Sequence, residues 1–243
     1  MNSSVNPYST PVYSVAAAAA ADERASFLAK TYIHLAGAVG AFVVLETILL
    51  QLPISQQLVG MMRGPAWLIA MGAFMFVSWI ANSWAMSSTS ITKQYMGLGL
   101  YVVAEAIILL PMLSYARWMS DSQGNPMLTG VIGAAGLATL GLFAAMTAVV
   151  FITRKDFSFM RSALMFGGFA ALGLIVCAVL FNFQLGAIFT YAMIALACGY
   201  ILYDTSNVLH HYRIGQHVAA SLSLFASVAL LFWYVLRLFM SRD

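Results

Sequence analysis

The chain has 243 residues, 62% of them hydrophobic and only 8% charged, with a formal net charge of +3. A soluble domain carries about 25% charged residues, so this chain cannot clothe a water-facing surface, and lipid must be its main solvent. The small, dispersed positive charge is no footprint for nucleic acid, and no partner of that class is expected.

In chain order, residues 1–25 read as a flexible cytoplasmic tail, rich in Ser, Asn, Pro and Ala and ending in Asp22-Glu23-Arg24. They lack the basic start of a signal peptide, and their one apolar stretch is alanine alone. Residues 26–243 read as one transmembrane domain with no internal repeat. Seven apolar runs fill it, at about 30–50, 66–86, 94–114, 128–152, 159–181, 186–208 and 218–239. Each approaches the roughly 20 residues that a spanning helix needs. Turn signals at Gly64-Pro65 and Gly124-Asn125-Pro126 precede the second and fourth, and Pro111 falls near the end of the third. The runs are continuously apolar, whereas a barrel strand alternates over about ten positions. The expected fold is therefore an all-α membrane protein, a bundle of seven transmembrane helices.

Basic residues orient such bundles. With the N-terminus inside, Arg24, Lys30, Lys93, Arg154, Lys155, Arg161 and Arg213 are cytoplasmic. Arg63, Arg117, Arg237 and Arg242 lie outside. The bias predicts a cytoplasmic N-terminus and an external C-terminus. Trp67, Tyr95, Tyr115 and Trp118 fall near expected interfaces, as an aromatic belt requires. Small residues four apart, Gly37/Ala41, Gly130/Ala134 and Ala163/Gly167, fit a compact bundle.

Three acids fall within the runs. Glu46, about a turn from the outer end of the first helix, is placed to reach the interface. Glu105, midway along the third, is expected to be buried in the bundle. Asp204 lies about a turn from the inner end of the sixth and has two readings: a polar packing residue, or a proton-sensitive latch, since an apolar setting disfavours the charged carboxylate. His210, His211 and His217 make no convincing metal site and read as a solvated loop, while His34 reads as an isolated packed residue. Cys177 and Cys198 lie in apolar runs and read as small buried thiols, with no metal-ligand spacing. There is no H-E-x-x-H and no G-x-S-x-G. No enzyme, cofactor or resident metal is expected.

Two stretches resemble the Bax inhibitor-1 family. Phe151-Ile-Thr-Arg-Lys-Asp-Phe-Ser-Phe-Met160, with Arg154, Lys155 and Asp156, is similar to that family's approach to the fifth helix. Ile201-Leu-Tyr-Asp-Thr-Ser-Asn-Val-Leu209, with Tyr203, Asp204 and Thr205, is similar to its sixth-helix motif. The Arg237–Asp243 end and the Thr-Arg-Lys-Asp segment look most like the bacterial YccA branch. The resemblance implies a bundle with one helix surrounded by the others. In some members it also implies a pH-sensitive calcium leak gated by two acids that share a proton. The first of these maps to Asp204; counted back from Arg237, the second maps to Ser227.

An acid facing a hydroxyl cannot form the two-carboxylate switch, and calcium favours several hard oxygen ligands. For the YccA-like branch the resemblance implies binding to the ATP-dependent membrane protease FtsH, with HflK–HflC, in the bacterial inner membrane. There it restrains membrane-protein degradation, and the N-terminal tail is open to the protease. The alternative is a calcium or proton leak using Asp204, Glu105 and the histidine loop. Asp204 is expected to tune packing or hydration at the cytoplasmic end.

Overall fold

The computed structural model describes residues 14–53, 57, 60, 65–87, 90–122 and 130–241. The turn residues Gly64 and Gly124-Asn125-Pro126, together with Arg63, Arg242 and residues 1–13 of the expected tail, lie outside the described residues.

Among the described residues, seven helices are long and apolar enough to cross a membrane: α1 Ala21–Leu49, α2 Pro65–Ala85, α3 Ile91–Ser122, α4 Val131–Thr153, α5 Arg161–Leu180, α6 Ala187–His210 and α7 His217–Met240. Short 3-10 turns at Ala16–Ala18 and Ser158–Met160 precede α1 and α5. The expected all-helical bundle is the observed one. Helix α1 starts nine residues before the expected span, with Asp22 and Glu23 in its first turn, where carboxylates favour the positive end of the helix dipole. Pro65 is the first residue of α2, the helical position that tolerates its missing N–H.

Pro111, expected near the end of its span, lies well inside α3, which has 32 residues. At 1.5 Å per residue α3 is about 48 Å long, against roughly 30 Å of hydrocarbon, so it projects beyond the bilayer core. Its far end is tied to α1, where Arg117 Nη1 donates to Leu50 O at 3.1 Å.

Helix α7 is the central post and packs against α1, α2, α3, α4 and α6. Its composition suits that place. Ala219, Ala220, Ser221, Ser227 and Ala229 are all buried on it, and small residues let backbones approach where no water-driven force presses helices together. The closest crossing is elsewhere, between α2 and α3. A Cβ added at Gly97 would sit 2.5 Å from Ala81 O and 2.6 Å from Ala85 N. Gly167 presses on Leu196 of α6, but Gly37 has open space around its Cβ position. Helix α5 is peripheral, packed on α6 and α2, and shows Phe166 and Phe169 to the surroundings. Cys177, expected buried, is exposed on α5, and Cys198 is half-buried.

The odd-numbered helices all run one way. Residues 14–18, Asp156 and the α6–α7 turn therefore share one end, the Asp204 end. The α5–α6 connection and Arg237 share the other.

Candidate functional site

The Asp204 end is built from the two stretches that carry the family resemblance, and Ser206 joins them. Its Oγ accepts from Phe157 N at 2.9 Å and lies 3.4 Å from Asp156 Oδ1. Asp156 Oδ1 accepts from Ser158 N at 2.8 Å and caps the 3-10 turn; Asp156 Oδ2 accepts from His211 Nε2 at 3.0 Å. The backbone N–H of Ser158, then the Ser158 hydroxyl and His211, hold the Asp156 carboxyl below the usual carboxylate range. Arg154 ends α4 in the left-handed conformation, φ 51°, which costs a non-glycine residue about 1 kcal/mol and turns the chain toward α6. Lys155 contributes its carbonyl, 3.5 Å from Ser206 Oγ.

Residues 14–16 lie along the α6–α7 turn as a strap. Val15 bridges Arg213 antiparallel; Ala16 N donates to Tyr212 O at 2.9 Å, and Ile214 N to Ser14 O at 3.1 Å. Ala16 is fully buried. The turn uses Gly215 at φ 100°, a conformation that favours glycine. Here the structure departs from the expected tail: from Ser14 onward the chain belongs to the fold. Tyr212, under the strap, shares a 2.8 Å hydrogen bond with Ser223, and burial pushes its phenol up to about 12.

Asp204 and Ser227 meet. The buried Ser227 hydroxyl donates to Asp204 Oδ2, and Asp204 itself is half-buried. The register counted from Arg237 thus puts the two side chains in direct contact. Glu105 is not part of this pair. It is buried on α3 and faces Tyr101 one turn earlier, and Tyr101 in turn lies within electrostatic reach of Asp204. Thr205 is fully buried beside Tyr32 of α1, and Tyr203 is half-buried.

Three expectations need correction. Glu46 does not reach the interface: it is 4% exposed, and neither carboxylate oxygen has a hydrogen-bond partner among the described residues. Adjacent helices cover it because α3 continues past it to Arg117. The histidines are not a free solvated loop. His210 Nδ1 donates to Ser206 O at 3.0 Å, His211 takes Asp156, and the His217 ring lies 4.9 Å from that of His34. Nor is His34 isolated. Its Nδ1 lies 2.7 Å from Lys30 O, and its Nε2 lies 2.7 Å from the Tyr95 hydroxyl. A carbonyl only accepts, so Nδ1 carries a proton and donates to Lys30 O, while Nε2 shares a hydrogen bond with the Tyr95 hydroxyl.

The other end is open. A cleft of about 750 Å³ lies between α2, α3, α5 and α7, where the peripheral α5 stands off the central post. Glu105 lines it, Arg237 borders it, and the Trp67 and Trp233 rings stack beside it at 5.7 Å and 18°. Trp67, expected near an interface, is a wall of this cleft. Trp233, Tyr101 and Ser206 went unremarked in the sequence. Only Ser206 left a signal there, four residues before His210 within the sixth-helix stretch.

No group of three or more His, Cys, Asp or Glu side chains among the described residues is arranged to hold a metal ion. The family model for "Inhibitor of apoptosis-promoting Bax1" matches residues 24–243. The chain belongs to the Bax inhibitor-1 family. It is 26% identical over 170 residues to an uncharacterised protein of Pseudomonas aeruginosa, covering 69% of each chain. It is 30% identical over 135 residues to an uncharacterised membrane protein of Vibrio cholerae, covering 53% of this chain and 55% of that one. It is 34% identical over 116 residues to Bax inhibitor 1 of Schizosaccharomyces pombe, covering 44% and 41%. As a Bax inhibitor-1 family protein with seven apolar helices, it is a multi-pass membrane protein.

Proposed function

We propose that this Bax inhibitor-1 family protein is a non-enzymatic component of the bacterial inner membrane. In this role it binds the ATP-dependent protease FtsH, with HflK–HflC, and restrains degradation of membrane proteins. Its N-terminus is cytoplasmic and its C-terminus is outside. One observation carries this choice: Ser227 donates to Asp204 at the place where a proton-sharing gate needs a second acid. A hydroxyl and one carboxylate hold no shared proton between like charges, which weakens the channel alternative. The YccA-like ends of the sequence give the choice its partner.

The strap refines how a protease would meet the tail. A pull on the chain N-terminal to Ser14 must break the Ala16–Tyr212 and Ile214–Ser14 bonds before it reaches α1. The test is affinity purification of the full chain from bacterial membranes, with identification of bound proteins, alongside a chain lacking residues 1–13. FtsH should co-purify with the full chain, and the truncation should lengthen its half-life. No co-purification together with an unchanged half-life contradicts the proposal.

The second reading, a calcium or proton leak, is favoured by the run of buried acids. Glu46 and Glu105 lie within electrostatic reach of one another, and Tyr101 stands between Glu105 and Asp204. Calcium flux into proteoliposomes at pH 6 and 8, with Asp204→Asn as control, decides it. Flux no greater than in empty vesicles removes it.

A further inference from the structure

We propose that the cleft at the Arg237 end is a binding site for a hydrophobic organic cation, held with its charge at Glu105 and its apolar body among Trp67, Phe74, Trp233 and Tyr234. This goes beyond the protease reading and needs neither protease binding nor ion flux.

The space is larger than a bare ion needs. At about 30 Å³ per water, a metal ion with six waters fills roughly 200 Å³, and the cleft holds about 750 Å³. That volume lies within the roughly 300–1,000 Å³ range of small-molecule sites. The lining chooses the charge. Glu105 is 7% exposed and lines the cleft, and no ion pair with a basic side chain engages it among the described residues. A carboxylate at such a depth calls for a counter-charge or a cavity.

Its surroundings favour an organic cation over a hydrated one. Six aromatic residues line the same cleft, two of them the stacked pair Trp67 and Trp233. Aromatic faces attract ammonium-type cations and offer little to a tightly held water shell. Arg237 does not supply the counter-charge. The rings of Tyr101 and Phe225 are 6.0 Å apart, which sets α3 and α7 in register. Glu105 lies one turn beyond Tyr101, and Arg237 three turns beyond Phe225, so the two charges are roughly 12 Å apart along the axis. Arg237 Nη2 donates to Leu185 O at 2.8 Å, which fixes the guanidinium at the border of the cleft. At that separation the guanidinium does not neutralise Glu105, and an organic cation gains aromatic contacts that a small hydrated ion cannot use.

The experiment uses two probes of equal shape and opposite charge. The purified full chain in nanodiscs is titrated by equilibrium dialysis with tetraphenylphosphonium and with tetraphenylborate. Saturable binding is taken above the partition into empty nanodiscs. The expected result is saturable binding of the phosphonium alone, weakened at least tenfold by Glu105→Gln and about threefold to tenfold by Trp233→Ala, and unaffected by millimolar calcium. Glu105→Asp retains the charge and keeps part of the binding, so a folding defect in one variant does not decide the outcome. Equal binding by well-folded Glu105→Gln, saturable binding of the borate at the same site, displacement by calcium, or partition without saturation each overturns the proposal.

Discussion

The two ends of the bundle are finished in opposite ways. At the Asp204 end, polar groups are spent on closure. Ser206 ties the α4–α5 connection to α6, Asp156 takes Ser158 and His211, and the strap at residues 14–16 adds backbone bonds across the α6–α7 turn. At the Arg237 end α5 stands apart, and a cleft runs inward to Glu105. The contrast shows where this fold spends its stability. Where loops must be held, short side chains bond to backbone groups; where space is left, the acid in it lacks an ion-pair partner among the described residues.

The largest expected effect tests the closed end. Gly97→Leu drives a side chain into the α2 backbone at Ala81 and Ala85. Overpacking typically costs about 1–3 kcal/mol, and backbone, which cannot rotate away, puts this site at or above the top of that range. Thermal unfolding in detergent measures it. Gly37→Leu, at a position where an added Cβ meets nothing within 4 Å, is the matched control and should unfold near the unmodified chain. Equal losses in the two variants would mean that the α2–α3 crossing is not tight.

Ser206→Ala comes next. It leaves the Phe157 N–H without its acceptor and releases Asp156 and Lys155 from the staple. A lost partner for a buried polar group costs about 1–3 kcal/mol. Limited proteolysis should cut near residues 154–160 faster in this variant, with no change at the α5–α6 connection. Uniform loosening at both ends would contradict a local staple.

The smallest effect belongs to Asp156. Its folded carboxyl is held below the usual range, so its contribution to stability is fully present above the unfolded value. It is lost as pH falls through the depressed folded one. The Asp156–His211 pair is exposed, with side chains 44% and 49% accessible, and such pairs give about 0.2–1 kcal/mol. Asp156→Asn should therefore lower the unfolding temperature slightly at pH 6 and not at all near pH 2. A larger loss at the acid end would reverse the sign of the account.

Much of the bundle was legible because a span writes itself as a continuous apolar run; α2, α4, α5, α6 and α7 lie within three residues of expectation. The Asp204–Ser227 contact was legible because α7 offers one register from Arg237. The strap was not, because Ala16 is anchored by backbone bonds to Tyr212 that no side-chain pattern announces. Glu46 misled because burial a turn from a helix end depends on how far the neighbouring α3 extends, and a proline at 111 hides that extension. Gly97 was invisible among 18 glycines, since close approach belongs to the crossing and not to the residue.

Adjacent positions on α7 offer the most direct test of closed against open. Ala226 lines the cleft, while Ser227 faces Asp204 and is 5% exposed. With Cys177 and Cys198 replaced by Ser, Ala226→Cys and Ser227→Cys are treated in sealed membranes with a membrane-impermeant thiol reagent from each side in turn. The account predicts that Ala226→Cys is labelled only from the side that carries Arg237 and that Ser227→Cys is labelled from neither. Labelling of Ser227→Cys from the Asp204 side, or protection of Ala226→Cys from both, would contradict it.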